Sequence, residues 1–335
     1  MDRGRTRRRW AGTWRLCQTV NARLDRLSHH CLRREPVPAM YQPNYVVFVF
    51  ALFGFVRLTG YLTDPLLSDR EIHQVGGEPS RIEAVADPRP EIKIVTWNIQ
   101  RGTEFDRILN TLQTLDADVL LLQEVDMFTR RTGGRDIARE LADALGMNWV
   151  CAGEFQEIGE SRGGRPALTG QAVLSRYPIE DALVLPFSAQ AKLRWRLAPL
   201  QPRRGGRIAL RARTAGVLVY NAHLESWGSE KLRRRQLDQI LADQIGTAAD
   251  GAPVIIAGDF NNVPVIRSSL FGRLTDASFA DALSQAAGQQ RTSIHHRHPI
   301  DWIFTKNLDP GGGGVADVAG ASDHHPVFVA RAHSP

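Results

Sequence analysis

The chain of 335 residues is 43% apolar and 23% charged, an ordinary globular composition that is long enough for one large α/β domain or two smaller ones. Its formal net charge is +6, but residues 1–40 alone carry +7, from ten Arg against three acidic side chains. The rest of the chain sums to −1, which argues against a broad polyanion-binding surface on the folded part.

The cysteine content argues against a disulfide framework and against a cysteine-ligated zinc site. Of the three cysteines only Cys151 lies where the sequence has domain-like patterning, so no disulfide framework is encoded, and Cys151 is expected to pack as a small hydrophobe. The sequence contains neither a C-x-x-C motif nor a His/Cys pairing at zinc spacing. Oxygen ligands and a hard cation such as Mg²⁺ are therefore the metal chemistry that fits it.

Residues 1–44 are Arg-rich, and we predict a basic tail there. An amphipathic helix, a disordered arm and an untranslated stretch before Met40 all fit this sequence. The apolar run at 45–56 is shorter than the roughly 18–20 residues that span a bilayer, and Arg57 interrupts its extension to residue 62. Residues 45–62 fit an uncleaved membrane anchor, an element packed on the domain, or a wrongly assigned start of the chain. The protein is therefore expected to be either cytoplasmic or membrane-associated. Residues 63–90, with several Gly and Pro, are predicted to be a linker.

Regular patterning begins at residue 91. The β-branched run at 92–97 predicts a strand, apolar residues at 3–4 spacing from Phe105 to Leu115 predict a helix, and the apolar run at 119–122 predicts a second strand. Another helix carries Ile137, Leu141 and Leu145 and is expected to end at Gly146. Further strands are predicted at 171–175, 183–187, 194–198, 207–213, 216–222, 253–257, 300–304 and 326–331, a long helix at about 229–245, and a flexible turn at the four glycines 311–314. This mixture predicts one domain at 91–335, built from two sheets with helices on their outer faces.

Polar side chains stand directly at the ends of the buried runs, where scaffolds present functional groups. They are Asn98, Glu124, His223, Asp259, Asn261, Asp323 and His324. Any one of them alone is more often a helix cap or a turn residue. Together, at the mouths of strands that can pack side by side, they indicate phosphoryl-transfer chemistry.

Six short motifs occur in a shared order: TWNIQRG (96–102), LLQEVD (121–126), NAHLES (221–226), GDFN (258–261), IDWIF (300–304) and SDHHP (322–326). In this order and spacing they resemble the endonuclease/exonuclease/phosphatase superfamily, which includes deoxyribonuclease I, exonuclease III, neutral sphingomyelinases and inositol polyphosphate 5-phosphatases. The resemblance covers about 240 residues. It implies an α/β fold, a four-layer sandwich of two mixed β-sheets flanked by helices.

The resemblance also implies a metal site. Glu124 matches the acidic metal ligand, Asn98 lies beside it, and Asp323 matches a further carboxylate that reaches the metal directly or through water. Hard oxygen ligands that leave water sites open suit catalytic Mg²⁺ or Mn²⁺.

The remaining positions match groups that act on the phosphate. Asp259 matches the carboxylate that orients and deprotonates the attacking water, while Asn261 and His223 match the groups that hold non-bridging phosphate oxygens. His324 matches the catalytic histidine, and Asp301 matches the carboxylate that pairs with it, fixes its tautomer and favours its protonated form.

The sequence departs from the family pattern at two positions. Gln171 stands where Asn is frequent, which puts a substrate contact there in question, and His223 stands where endonucleases of the exonuclease III type usually have an aromatic residue. The three arginines at 233–235 are expected to form a solvated helix face.

The sequence thus predicts a metal-dependent hydrolase that cleaves a phosphodiester or phosphomonoester by direct attack of water, since no Ser or Cys nucleophile motif competes. A lipid or small-molecule phosphoester is favoured over nucleic acid because the domain is nearly neutral. A nuclease and a non-catalytic binding module with the same fold are the alternatives. No protein partner is implied, and membrane contact through 45–62 is one of the open readings.

Overall fold

A computed structural model describes residues 64–82, 91–162, 164–191, 203–262, 269–283, 291–308, 311–318 and 320–332. All of them belong to one of the two compact units of the chain, Phe53–Pro335. The predicted basic tail, the apolar segment and the predicted strand at 194–198 lie outside the described residues. Within those ranges, none of the helices combines the length and the apolar character needed to cross a bilayer.

The described residues contain fourteen strands. In chain order they are β1 (Val75–Glu78), β2 (Glu91–Asn98), β3 (Val119–Met127), β4 (Asn148–Glu157), β5 (Leu168–Ser175), β6 (Ile179–Pro186), β7 (Arg203–Gly205), β8 (Ile208–Thr214), β9 (Val217–His223), β10 (Val254–Asp259), β11 (Ala280–Asp281), β12 (Asp301–Lys306), β13 (Gly312–Val315) and β14 (Val327–Ala332). One sheet has the order β1-β4-β5-β3-β2-β14-β13, with β7 paired to β4, and the other has the order β11-β12-β10-β9-β8-β6. Both are mixed, because β2 and β3 are parallel in the first, β9 and β10 are parallel in the second, and antiparallel pairs flank them.

The described residues contain five α-helices, and the four longer ones pack against the outer faces of the sheets. The five are α1 (Asp69–Ile72), α2 (Phe105–Leu115), α3 (Ile137–Leu145), α4 (Glu230–Thr247) and α5 (Ser269–Asp276). Sequence-local signals set their ends: Asp136 caps α3 by accepting from the Arg139 amide, Gly146 ends it with φ 64°, and Ser229 caps α4.

Three apolar clusters hold the layers together. The first joins α2 and α3 to the first sheet, the second lies between the two sheets, and the third joins the second sheet to α4 and α5. Strands of the central cluster, such as β10 with Ile255 and Ala257, are buried on both faces and therefore read as continuous apolar runs. The predicted four-layer sandwich of two mixed sheets flanked by helices is confirmed.

Two local expectations are wrong. Residues 64–82, assigned to a linker, contain the capped turn α1 and the edge strand β1, which pairs with β4. The glycines at 312–314 form β13 rather than a flexible turn, and a Cβ on Gly313 would lie 3.0 Å from the carbonyl oxygens of Ala282 and Phe328. Glycine is therefore required there by close backbone approach, which composition alone does not distinguish from chain flexibility.

Candidate active site

The carboxyl ends of the two parallel strand pairs meet at one edge of the sandwich. In the second sheet the register places His223 on β9 and Asp301 on β12 directly beside Asp259 on β10. In the first sheet Asn98 ends β2, and its Nδ2 donates a hydrogen bond of 3.2 Å to Asp259 Oδ2. Beneath this contact, Gln123 Nε2 donates to the Asn221 side chain across the sheets at 2.6 Å. The register of the second sheet and the contact between the sheets therefore bring four of the predicted residues together.

One oxygen atom, Oδ2 of Asp259, is the centre of the cluster. Besides Asn98 Nδ2, it faces Nε2 of His223 at 3.4 Å and Nε2 of His324 at 3.8 Å. The other oxygen, Oδ1, accepts from the backbone amide of Asn261 at 2.9 Å. Burial and the neighbouring Asp301 raise the pKa of Asp259, although cationic His324 opposes them. A buried carboxylate of raised basicity among N–H donors is suited to accept a proton from water.

His324 forms a close pair with Asp301, as the sequence predicted. Its Nδ1 lies 2.9 and 3.0 Å from the two carboxylate oxygens, although 23 positions separate the residues. Burial alone would lower the pKa of His324, but Asp301 and Asp259 outweigh it and raise that pKa to about 10. Trp97 Nε1 donates to the His324 carbonyl, and Ser322 Oγ accepts from the His324 amide, which fixes the backbone. The ring is thus a positioned cation whose Nε2 points into the site.

His223 has the opposite environment. Arg207 donates from Nη1 to His223 Nδ1 at 2.8 Å and also forms an ion pair of 2.8 Å with buried Glu154. Because a guanidinium offers only donors, Nδ1 must accept, and the His223 proton resides on Nε2, facing Asp259. Burial and then Arg207 hold the pKa of His223 well below its ordinary value. Gln171 is fully buried and donates to Glu154, so it supports this pair rather than contacting substrate.

Sequence reasoning missed Arg207 and Glu154. Each of them had a signal in the sequence. Glu154 interrupts the apolar part of β4, and Arg207 directly precedes β8. A charge in a buried strand requires a partner, but the sequence does not say which one.

Asn261 is held beside the cluster in a left-handed conformation with φ 48°. Its Nδ2 donates one proton to the Leu224 carbonyl at 3.0 Å, which leaves the second amide proton for another acceptor. This geometry is compatible with the predicted contact to a phosphate oxygen.

Glu124 lies in a β-bulge of β3, with φ 52°, where the pairing with β5 shifts between Gln123 and Val125. The bulge turns its half-buried carboxylate toward Arg101, whose Nε is 3.7 Å from Oε2. Burial opposes ionisation, but Arg101, Arg207 and other cations outweigh it and lower the pKa of Glu124. An ionised carboxylate with only a long ion pair in the described structure fits a hard divalent cation. Asn98 Oδ1, the second oxygen that the sequence predicts for this metal, accepts from the Gln100 amide at 3.1 Å.

Asp323, the third predicted metal ligand, faces His295, with Oδ2 3.4 Å from Nε2. A different trio, Asp259, Asp301 and His324, offers ligand atoms within 4.8 Å of one another. In that trio Asp301 lies against Nδ1 of His324, and while the ring is protonated it has no lone pair for a metal.

Arg233 does not belong to a solvated helix face, contrary to expectation. It donates to the carbonyls of Glu225 and Gly228 and, through Nε, to the Asn262 side chain. These bonds hold the turn after β9, which carries the exposed Trp227, against the segment after β10.

Two mixed sheets flanked by helices, with an Asp–His pair and a buried carboxylate at their shared edge, define the class of four-layer hydrolases. The family model described as "Endonuclease/Exonuclease/phosphatase family" matches residues 95–324, and the chain belongs to this family.

The chain is also similar to one curated protein and to two solved structures. The "Uncharacterized protein YbhP" of Escherichia coli K12 is 30% identical over 263 residues, which cover 70% of this chain and 94% of that protein. An AP endonuclease structure from Archaeoglobus fulgidus has a TM-score of 0.53 at 17% identity and covers 71% of this chain and 98% of its own. A mannosyl-6-phosphatase structure from Bacteroides thetaiotaomicron has a TM-score of 0.52 at 20% identity with the same coverage. These two structures share the fold with this chain.

Proposed function

We propose that the protein is a divalent-metal-dependent phosphoesterase that cleaves a phosphodiester or phosphomonoester by in-line attack of water. The observation that carries the proposal is the convergence of Asn98 Nδ2, His223 Nε2 and His324 Nε2 on one oxygen of Asp259. An attacking water bound to Asp259 would have phosphate-oxygen donors on either side.

Most of the predicted residues have a role in this proposal. Glu124, with Asn98, would hold Mg²⁺ or Mn²⁺, which supplies positive charge to the phosphate oxygens when bound. Asp259 accepts the proton of the water, while neutral His223 and cationic His324 donate to the phosphate from opposite sides. Asp301 keeps His324 charged, and no covalent enzyme intermediate is involved.

We propose a lipid or small-molecule phosphoester as substrate in preference to nucleic acid. The chain beyond the basic tail is nearly neutral, whereas a nuclease groove needs excess cations along its length. Trp227, four residues after His223, is 73% exposed, and Ile294, whose amide bonds to the Asp323 carbonyl, is 53% exposed. Apolar side chains beside a phosphate site favour a substrate with an apolar part.

Hydrolysis assays on the full chain test the reaction. The substrates are bis-p-nitrophenyl phosphate, sphingomyelin, phosphatidylinositol phosphates, plasmid DNA and single-stranded RNA, each with Mg²⁺, Mn²⁺ or EDTA. We expect metal-dependent hydrolysis of at least one ester, lost in Asp259→Asn and His324→Gln. The matched control is His325→Gln, which removes the neighbouring histidine, paired outside the cluster with Asp317, and should stay active.

The panel also separates the alternatives. Cleavage of DNA or RNA alone would establish a nuclease, a reading that the family likeness to an AP endonuclease supports. Saturable binding of an ester with no hydrolysis under any metal would establish a binding module. Activity that persists unchanged in Asp259→Asn would refute the proposed site.

A further inference from the structure

Arg101 is an enclosed guanidinium without a hydrogen-bond partner in the described structure. Only 19% of its side chain is exposed, and its contacts are ion pairs of 3.7 Å to Glu124 and 3.6 Å to Glu157. By contrast, Arg131 donates to both oxygens of Asp126, at 2.6 and 2.8 Å. Because part of the Arg101 side chain remains exposed, its N–H groups reach solvent, and a guanidinium can donate several of them to an anion that enters from that side.

Three arginines, Arg101, Arg131 and Arg203, approach the carboxylate of Glu157. Arg131 has a second partner in Asp126, and Arg101 has a second, long ion pair with Glu124, so the charges balance only while Glu124 remains available. Arg203 Nε lies 2.8 Å from Glu157 Oε1 but makes no well-directed hydrogen bond. If Glu124 binds a cation, Arg101 and Arg203 are left to share Glu157.

The backbone holds Arg101 in place at a conformational cost. Gln100 and Arg101 have φ values of 48° and 68°, a left-handed region that residues other than glycine rarely occupy. Strained positions of this kind concentrate at ligand-binding sites. Here the turn directs Arg101 from the end of β2 toward Glu124, the predicted metal ligand.

We propose that Arg101 and Arg203 form a second anion subsite, beside Glu124, for a further phosphate group carried by the substrate next to the ester that is cleaved. This inference rests on the proposed function and narrows its substrate to a phosphoester with at least two anionic groups. A guanidinium binds such a group through paired N–H donors, the geometry that phosphate oxygens match. Arg101 supplies donors that no side chain in the described structure accepts, and Arg203 shares its partner Glu157 with two other arginines.

Calorimetric binding tests the subsite without turnover. The full-length Asp259→Asn protein is titrated with 2,3-bisphosphoglycerate and with 3-phosphoglycerate in Mg²⁺, because these probes differ by one phosphate. We expect the bisphosphate to bind about tenfold more tightly. Adding Arg101→Gln should abolish that difference, and Arg101→Lys should restore part of it. Arg204→Gln, a charge-matched change at the exposed neighbour of Arg203, should retain it.

The outcomes are distinct from those of the hydrolysis assay. Equal binding of the two probes by the parent protein would overturn the subsite. So would an Arg101→Gln protein that still prefers the bisphosphate, or an Arg204→Gln protein that loses this preference as fully as Arg101→Gln does. Thermal melts show that each variant is folded. Arg101→Gln should melt close to its parent, since Arg101 donates no hydrogen bond in the described structure. A protein that hydrolyses nothing yet shows the bisphosphate preference would refute only the proposed reaction.

Discussion

Replacing Asp301 by Asn should move the alkaline limb of the pH–activity profile. The change keeps the size of the side chain but removes the charge that lies 2.9 Å from His324 Nδ1. That charge, with Asp259, raises the pKa of His324 to about 10, against the effect of burial. Without it we expect a value of about 7, since an adjacent carboxylate is worth about 1–3 pKa units and Asp259 remains.

The size of the effect depends on pH. At pH 8 the wild-type ring is almost fully protonated, whereas a pKa of about 7 leaves only about one tenth of the rings charged. If the reaction requires cationic His324, kcat/KM should fall about tenfold at pH 8 and little at pH 6, beyond a constant loss from weaker ring orientation. The assay is a profile of kcat/KM from pH 5.5 to 9.5 with bis-p-nitrophenyl phosphate at saturating metal.

The control is Asp317→Asn, because Asp317 is an exposed carboxylate 3.8 Å from His325, outside the cluster. Its profile should coincide with that of the wild type. An alkaline limb that stays in place in Asp301→Asn would refute the view that this carboxylate keeps His324 charged.

Further predictions follow from the same geometry. Glu124→Ala and Asp259→Ala should each lower turnover by orders of magnitude with little change in melting temperature, and raised Mg²⁺ should partly rescue only the first; equal rescue would contradict the division of roles. Arg207→Met should allow His223 Nδ1 to carry a proton, a change that ¹⁵N shifts of labelled histidine detect and that an unchanged spectrum would contradict. Removing residues 1–62 should weaken DNA binding and flatten its salt dependence, so a steep slope in the shortened chain would contradict the preference for other substrates.

Much of the site was predictable because its residues stand at the ends of strands with clear patterns. The runs before Asn98, His223 and Asp259 are apolar and of strand length, and parallel strands place their carboxyl ends at one edge. Asp301 and His324 lie together as predicted because Asp301 begins β12 and His324 stands three residues before β14. The apolar pattern and the short motifs together therefore predict most of the residues that the sheet register brings to the site.

Residues that act through distant partners were not predictable. The Arg207–Glu154 pair links β4 to the start of β8 across 53 positions, and no local period identifies such a contact. The bulge at Glu124 is likewise invisible in the run LLLQEVD, because it arises from pairing with β5. The glycines of β13 and the short strand β1 were misassigned because glycine-rich composition is shared by turns, linkers and closely packed edge strands.

The two histidines of the site differ in charge because their Nδ1 atoms meet different partners. Asp301 accepts from His324 and stabilises a cation, whereas Arg207 donates to His223 and permits only the neutral ring. This difference matters for Asp259, which lies between them. Two cationic rings would lower the pKa of that carboxylate and weaken it as a base, while two neutral rings would leave the phosphate without a charged donor. In the proposed reaction, one ring of each kind would let the site donate to phosphate from both sides and still accept the proton of water.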